Sequence, residues 1–371
     1  MTTIYLIRHA EAEGNLYRIA QGQDDSILTD RGWRQVKALE RRFAAIRINA
    51  VYSSDLYRTC ATASALYIPK NLPLHRCRAL REICVGAWEQ KTWGEIARRW
   101  PEQMDYFSHQ MHRWHMEGAE TPAAVLERVL QAVRKIGAEN DGKTVAVFSH
   151  GYAIRLLLAR LQGCTLEETG ATPHGDNTAV SLLQMEGERL RVLFRDDNSH
   201  LQTPEFLAQE TARKRPNALE PGLYFEPLRL PEQGELFARL AASARADAGV
   251  PAPFDRARAL ADAADRPTLV GYLRGEPVGL VQFGRADGRP GRITLACIRQ
   301  DCRSRGFGVQ LIGQAAYHWR PLGAGRLWVA LPASCGAERF FQDYGFLPAG
   351  QDKRGRTLLE KDIRFDPAFK A

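Results

Sequence analysis

The chain opens on a short apolar run, Thr3-Ile4-Tyr5-Leu6-Ile7, that stops at Arg8-His9-Ala10-Glu11. A run of that length bounded by polar residues reads as a buried strand. A second one, 144–148, stops at Ser149-His150-Gly151. Between them, Leu28-Thr29 with Gly32 and Gln35 opens one helix. Thr121 and Pro122 open another, as N-cap and first-turn residue. From 202 to 221 the periodicity is lost among Lys, Arg, Pro, Asn and Glu, a composition that suits a surface linker. Order then returns, with a strand over 223–228 and an Ala/Arg-rich helix over 235–248. Strands over 268–273 and 278–283 flank a turn at Arg274-Gly275-Glu276-Pro277, which predicts a hairpin. A strand over 293–298, an apolar helix from Val309 and a strand over 326–331 complete the pattern. A length of 371 residues accommodates two domains, expected at 1–201 and 222–371 around a linker at 202–221.

Chemistry enters where the strands stop. Open α/β sheets bind ligands beyond the carboxyl ends of their strands, which is where Arg8-His9 and His150 fall. Taken alone, an Arg-His pair fits a surface turn better than a site. It does not stand alone. Asn15, Gln21-Gly22 and Asp24 follow, then Val51-Tyr52-Ser53-Ser54-Asp55-Leu56, Arg58-Thr59 and Thr62-Ala63. Leu80-Arg81-Glu82, Gly86 and Trp88-Glu89 come next, and Asn198-Ser199-His200-Leu201 closes the segment. This set, in this order, resembles the histidine phosphatase (phosphoglycerate-mutase-like) superfamily over residues 1 to 201. The resemblance implies a mostly parallel α/β/α sandwich. One departure is Ala10, where many members carry Gly.

A phosphate ester brings about two negative charges, so its pocket needs cations that do not titrate away. Arg8 and Arg58 meet that need and can bind oxygens bidentately. His9 would attack phosphorus and form a phosphohistidine, splitting the reaction into two easier steps. His150 would donate to the equatorial oxygens of the transferring group. Glu82 would protonate the leaving oxygen and later activate water. By the resemblance, Asn15 joins the phosphate ligands, and Gln21, Gly22 and Gly151 line the substrate pocket. No metal is expected.

The second half carries its own signature. Ile293-Thr294-Leu295-Ala296-Cys297-Ile298 leads through Arg299 to Cys302 into Arg303-Ser304-Arg305-Gly306-Phe307-Gly308 and the helix from Val309. A strand, a loop with Arg and two Gly, and a helix N-terminus make an anion cradle. With the hairpin before it and Ala337, Phe340-Phe341 and Tyr344-Gly345-Phe346 after it, the arrangement resembles the GNAT N-acetyltransferase family over 222–363. That implies an α+β domain with a mixed, mainly antiparallel sheet. It also implies an acetyl-CoA site at Ile298 and along Arg303, Ser304, Arg305, Gly306, Phe307, Gly308 and Val309, with the pantetheine arm on the edge of strand 293–298. Many members place a Tyr acid where this chain has Phe341, and a Glu base on the strand where it offers Thr294.

Bulk properties narrow the partners. The net charge is +8, with Arg far outnumbering Lys, yet no basic stripe interleaved with aromatics appears, so nucleic acid is not expected. Both implied ligands are polyanions, and spread positive charge would speed their capture. Seven scattered cysteines, with no CxxC pair, no signal peptide and no membrane-length apolar run, suit reduced thiols in the cytoplasm. A homodimer stays open. His109, His112 and His115 recur at helical spacing and could share an ion. The reading preferred here makes them, with Trp93, Trp100, Tyr106 and Trp114, the wall of a leaving-group pocket. The expected function is a bifunctional enzyme that dephosphorylates a small metabolite without metal and N-acetylates a small-molecule amine. One alternative makes the second domain a non-catalytic CoA-binding or interaction module. A phosphomutase is disfavoured, because the extra length such mutases use is missing.

Overall fold

The computed structural model describes residues 1–210, 222–247, 254–285, 290–332 and 335–370. The first half contains strands β1 (Thr2–Arg8), β2 (Ala50–Ser53), β3 (Leu74–Arg76), β4 (Thr144–Ser149), β5 (Val180–Glu186) and β6 (Arg189–Asp197). Its helices are α1 (Glu13–Tyr17), α2 (Asp30–Phe43), α3 (Tyr57–Tyr67), α4 (Trp93–Arg99), α5 (Pro101–His109), α6 (Pro122–Glu139), α7 (Gly151–Leu161) and α8 (Pro204–Gln209). The sheet order is β3-β2-β4-β1-β5-β6, parallel from β3 to β1 and antiparallel beyond.

Strand alternation builds two cores from one sheet. On β1, Ile4 and Leu6 join the α6 and α7 side, while Tyr5 and Ile7 join the α2 and α3 side. On β4, Val145 and Val147 take the first side, Ala146 and Phe148 the second. A sheet covered on both faces needs both sets apolar, which is why these strands read as continuous runs. β1 and β4 are neighbours in register, Arg8 opposite Ser149, so His9 and His150 leave the sheet side by side.

The second half contains β7 (Tyr224–Pro227), α9 (Gly234–Asp247), α10 (Arg256–Ala264), β8 (Thr268–Leu273), β9 (Glu276–Phe283), β10 (Ile293–Ile298), α11 (Gly308–Trp319), β11 (Arg326–Leu331), α12 (Glu338–Asp343), β12 (Leu347–Gln351) and β13 (Thr357–Asp362). Two antiparallel sheets result, ordered β10-β9-β8-β7 and β11-β13-β12. They touch through the bridge Arg292–Trp328, beyond which β10 forms the edge of its sheet among the described residues.

The expected linker begins as structure. Thr203 caps α8 by accepting from the Phe206 N–H at 3.3 Å, and Phe206 is buried with Leu201 and Ala38 of α2. Arg31 of α2 binds Glu210 at 2.8 Å. Residues 211–221 of that stretch lie outside the described residues. The halves are also interlocked at their ends. Tyr17 belongs to the core of the second half, and Phe369 packs with Tyr57 and Trp33 in the first.

Candidate active site

His9 and His150 face each other with ring centroids 5.3 Å apart. His9 Nδ1 donates to the carbonyl of Ala10 at 2.7 Å; a carbonyl can only accept, so the ring proton lies on Nδ1 and the lone pair on Nε2. Burial, then Arg58 and Arg8, holds His9 well below the usual histidine range, so the ring is neutral. His150 is fully buried and held low in the same way, by burial and then Arg58. Its Nε2 meets Ser54 Oγ at 2.8 Å. That hydroxyl accepts the Leu56 N–H, and its own proton meets no other acceptor among the described residues, so it donates to Nε2 and leaves the ring proton on His150 Nδ1. Nδ1 is buried without a partner. A buried orphan donor costs about 1–3 kcal/mol and is a ready site for an anion.

Two guanidinium groups flank the imidazoles. Arg58, on the first turn of α3, is 1% exposed and donates to the carbonyls of Asp24 at 2.9 Å and Gly22 at 2.7 Å. Arg8 donates to the carbonyl of Gly175 and meets His174 Nδ1 at 3.2 Å, while its Nε is buried and unpartnered. Gly151 has a spatial reason to be glycine: a Cβ there would come within 2.9 Å of the His174 ring and 3.0 Å of Arg8 Cζ. Asn15 Oδ1 accepts from the Ala12 N–H and from Asn177 Nδ2, which commits the oxygen and leaves the amide as donor.

Glu82 sits at the start of α7, accepting from the N–H groups of Tyr152 and Ala153, both at 3.0 Å. Helix starts favour a carboxylate through exposed N–H groups and dipole. Its charge is the largest favourable influence on both Arg8 and Arg58. Glu89 performs a related task, since its carboxylate accepts from the N–H groups of Gly22, Gln23 and Asp24 and so holds the loop that holds Arg58. Gln21 is engaged at both ends, accepting from Ser26 Oγ at 2.8 Å and donating to the hydroxyl of Tyr317 at 2.7 Å.

In the second half, the loop before α11 turns through positive φ at Ser304 and Gly306. The N–H groups of Gly306, Phe307 and Gly308 make no backbone hydrogen bond among the described residues, and no side chain caps α11. Arg303 Nε donates to the Ile298 carbonyl at 2.8 Å, tying loop to strand. A Cβ on Gly308 would meet the Phe340 ring at 3.0 Å. This open backbone cradle fits a pyrophosphate. Phe341 is 5% exposed between Phe340 and Phe346, and the Thr294 hydroxyl is spent on Gln282 and Phe283.

Residues 4–198, just over half of the chain, match the histidine phosphatase superfamily (branch 1). The chain belongs to the histidine phosphatase superfamily. Residues 236–346 match the acetyltransferase (GNAT) family. Over 201 residues the chain is 30% identical to phosphoserine phosphatase 1 of Hydrogenobacter thermophilus, a match that covers 54% of this chain and 95% of that protein. It is 30% identical over 214 residues to the metal-independent phosphoserine phosphatase of Arabidopsis thaliana, covering 56% and 86%. Among solved structures, Bacillus stearothermophilus YhfR superposes with a TM-score of 0.53 and 32% identity, covering 54% of this chain and 100% of that one.

Of the sequence-predicted residues of the first domain, His9, His150, Arg8, Arg58, Asn15, Glu82 and Gly151 lie together beyond the ends of β1 and β4, Gly22 is tied to them through Arg58, and Gln21 is held by Ser26 and Tyr317. The expected imidazole wall is corrected. α5 ends at His109 and a 3-10 turn follows at Met111–Arg113, so a spacing of three no longer marks one helix face. His109, His112 and His115 are exposed; His109 bonds to Asp105 and His115 to Gln103. The aromatic residues of that region pack inward: Trp88 meets Trp93, Phe107 and Trp114 edge to face, and Phe107 lies flat on Tyr152 at 4.7 Å. They support the start of α7, where Glu82 sits. Among the described residues no group of three or more metal-capable side chains occurs, and no helix is long and apolar enough to cross a membrane. Ser54, Glu89, His174, Asn177 and Tyr317 carry parts of the site that the sequence reading left without a role.

Proposed function

We propose that the first domain hydrolyses small phosphomonoesters through a phosphohistidine on His9. The observation that carries this is a buried neutral imidazole with its lone pair on Nε2, beside a second imidazole with an unpartnered Nδ1–H, between two guanidinium groups. Arg8, Arg58, Asn15 and His150 Nδ1 bind the phosphoryl oxygens. His9 Nε2 attacks phosphorus as the bond to the leaving oxygen breaks, and Glu82 relays to that oxygen the proton that the substrate monoanion brings into the site. Water then attacks the phosphohistidine, Glu82 takes its proton, and inorganic phosphate leaves with His9 restored. Each charge change is met by groups already in place, so little reorganisation is needed.

Phosphoserine is the substrate to test first, supported by the two relatives named as phosphoserine phosphatases, each 30% identical over the whole domain. Phosphate release should proceed in EDTA. No release from phosphoserine or from any other small phosphomonoester would overturn the hydrolase reading.

The second domain, 222–371, joined through 202–221, is proposed to bind acetyl-CoA along Arg303–Val309, with Ile298 at the end of the edge strand. The bound thioester would supply an activated acetyl group, and the chain's task is to hold it and to deprotonate an amine. Two observations favour a second reading of this domain as a binding module: Phe341 is packed in the core, and the Thr294 hydroxyl is already spent. Calorimetry with acetyl-CoA, followed by thiol release on a panel of amines that includes serine, separates catalyst from module. Serine belongs in the panel because a product released beside the second site meets it at raised effective concentration.

A further inference from the structure

The segment that carries phosphate-site residues between β1 and α2 is gripped by one face of α11. Glu13, 1% exposed, accepts from Arg320 Nη2 at 3.0 and 2.8 Å. Tyr17 lies on Gly313, where a Cβ would come within 2.5 Å of its ring. Gln21 donates to Tyr317 at 2.7 Å. Gly313, Tyr317 and Arg320 are spaced by four and three, a single stripe of a helix. Their partners, Glu13, Tyr17 and Gln21, are spaced by four along the phosphatase domain. Asn15 sits within α1, between Glu13 and Tyr17, and Gly22, next to Gln21, holds Arg58.

Tyr317 differs from the other two contacts in kind. Gly313 and Arg320 fasten the helix to the domain, whereas Tyr317 reaches the substrate loop itself. The Gln21 amide lies against Gly14, whose Cβ would meet it at 2.1 Å, so the loop is closely seated there. Ser26 fixes its oxygen and Tyr317 its nitrogen; with the phenol oxygen gone, the donor loses the partner that sets its orientation.

We propose that Tyr317, from the GNAT domain, is a positioning residue of the phosphatase site, fixing Gln21 and with it the 21–24 loop that holds Arg58. This rests on the phosphatase reading of the first domain. Tyr317→Phe keeps the ring and its packing but removes the acceptor. In the full-length protein it should raise KM for phosphoserine about fivefold, the effect of one hydrogen bond, with kcat within about twofold. Melting temperature and acetyl-CoA affinity should not change. Gln21→Ala should raise KM similarly, and adding Tyr317→Phe to it should cost nothing further, because the two act through one bond.

An unchanged KM in Tyr317→Phe, additive losses in the double variant, or equal falls in kcat and melting temperature would overturn the proposal. Calorimetric binding of phosphoserine to a His9→Ala background reads the same contact without turnover. If the parent releases no phosphate yet binds phosphoserine with this Tyr317 dependence, the hydrolase reading falls and the positioning role stands. If phosphoserine binds equally with and without Tyr317→Phe, the positioning role falls, whatever the activity.

Discussion

The reactivity proposed for His9 rests on where its proton is kept. Nδ1 is tied to the Ala10 carbonyl, and burial with Arg58 and Arg8 nearby disfavours a second proton. A depressed pKa extends the neutral form to lower pH. On para-nitrophenyl phosphate, whose leaving group needs little protonation, and with the substrate's own ionisation near 6 divided out, kcat/KM should show no loss centred near 6.5 as pH falls. A loss of activity with a midpoint near 6.5 would mean that His9 titrates as an ordinary imidazole. Glu82 is tested by leaving group. Glu82→Gln should lower kcat/KM for phosphoserine by about 10²–10⁴-fold, yet leave kcat/KM for para-nitrophenyl phosphate within about tenfold, because that ratio reports phosphohistidine formation and this leaving group needs little protonation. Equal losses on both would remove Glu82 from the acid role.

At the scale of elements, the site depends on two parallel strands ending together and on the first turn of α7. Gly151→Ala probes that turn. Its Cβ would press on His174 and on Arg8 Cζ, both ends of movable side chains, so the structure yields by displacing the phosphate ligand. KM should rise about tenfold, whereas the melting temperature should hold or rise, since alanine favours a helix over glycine by about 1 kcal/mol. A lowered melting temperature with unchanged KM would contradict this. Elements of this sort were legible in the sequence. β1 and β4 announce themselves as continuous apolar runs, and their polar ends carry Arg8, His9 and His150. Helix α8 could have been read from Thr203-Pro204-Glu205, a cap followed by a first-turn proline, but the polar surroundings masked it. The roles of His174, Glu89 and Tyr317 could not be read, because each acts on a residue far away in the chain. The histidines at 109, 112 and 115 misled for a related reason: the helix that gives their spacing meaning ends at the first of them.

The two halves of the molecule share their cores. Tyr17 is buried in the second half, Phe369 in the first, and Glu13 is paired with Arg320 across the interface. Calorimetry should therefore show one unfolding transition, and two well-separated transitions would contradict the interlocked arrangement. That transition should depend on pH in a fixed direction. His9, His150 and His200 are all held low by burial, His200 pushed down to about 4. Below the unfolded value of 6.5 the unfolded chain takes up protons that the folded chain refuses. Stability is therefore full above 6.5 and falls as pH drops, by up to about 2 kcal/mol from His200 alone at pH 5. The melting temperature should fall by several degrees between pH 7 and pH 5, and a constant or rising value would contradict the buried neutral imidazoles.

All of this converges on one covalent bond. The full-length protein, mixed with a phosphorylated substrate and quenched in alkali within the turnover time, should carry an acid-labile, alkali-stable phosphoryl group on His9 when its peptides are mapped by mass spectrometry. The His9→Ala protein should carry none and should have lost phosphate release, while keeping its melting temperature. Phosphoryl label on a residue other than His9, or substantial turnover by the alanine variant, would contradict the account.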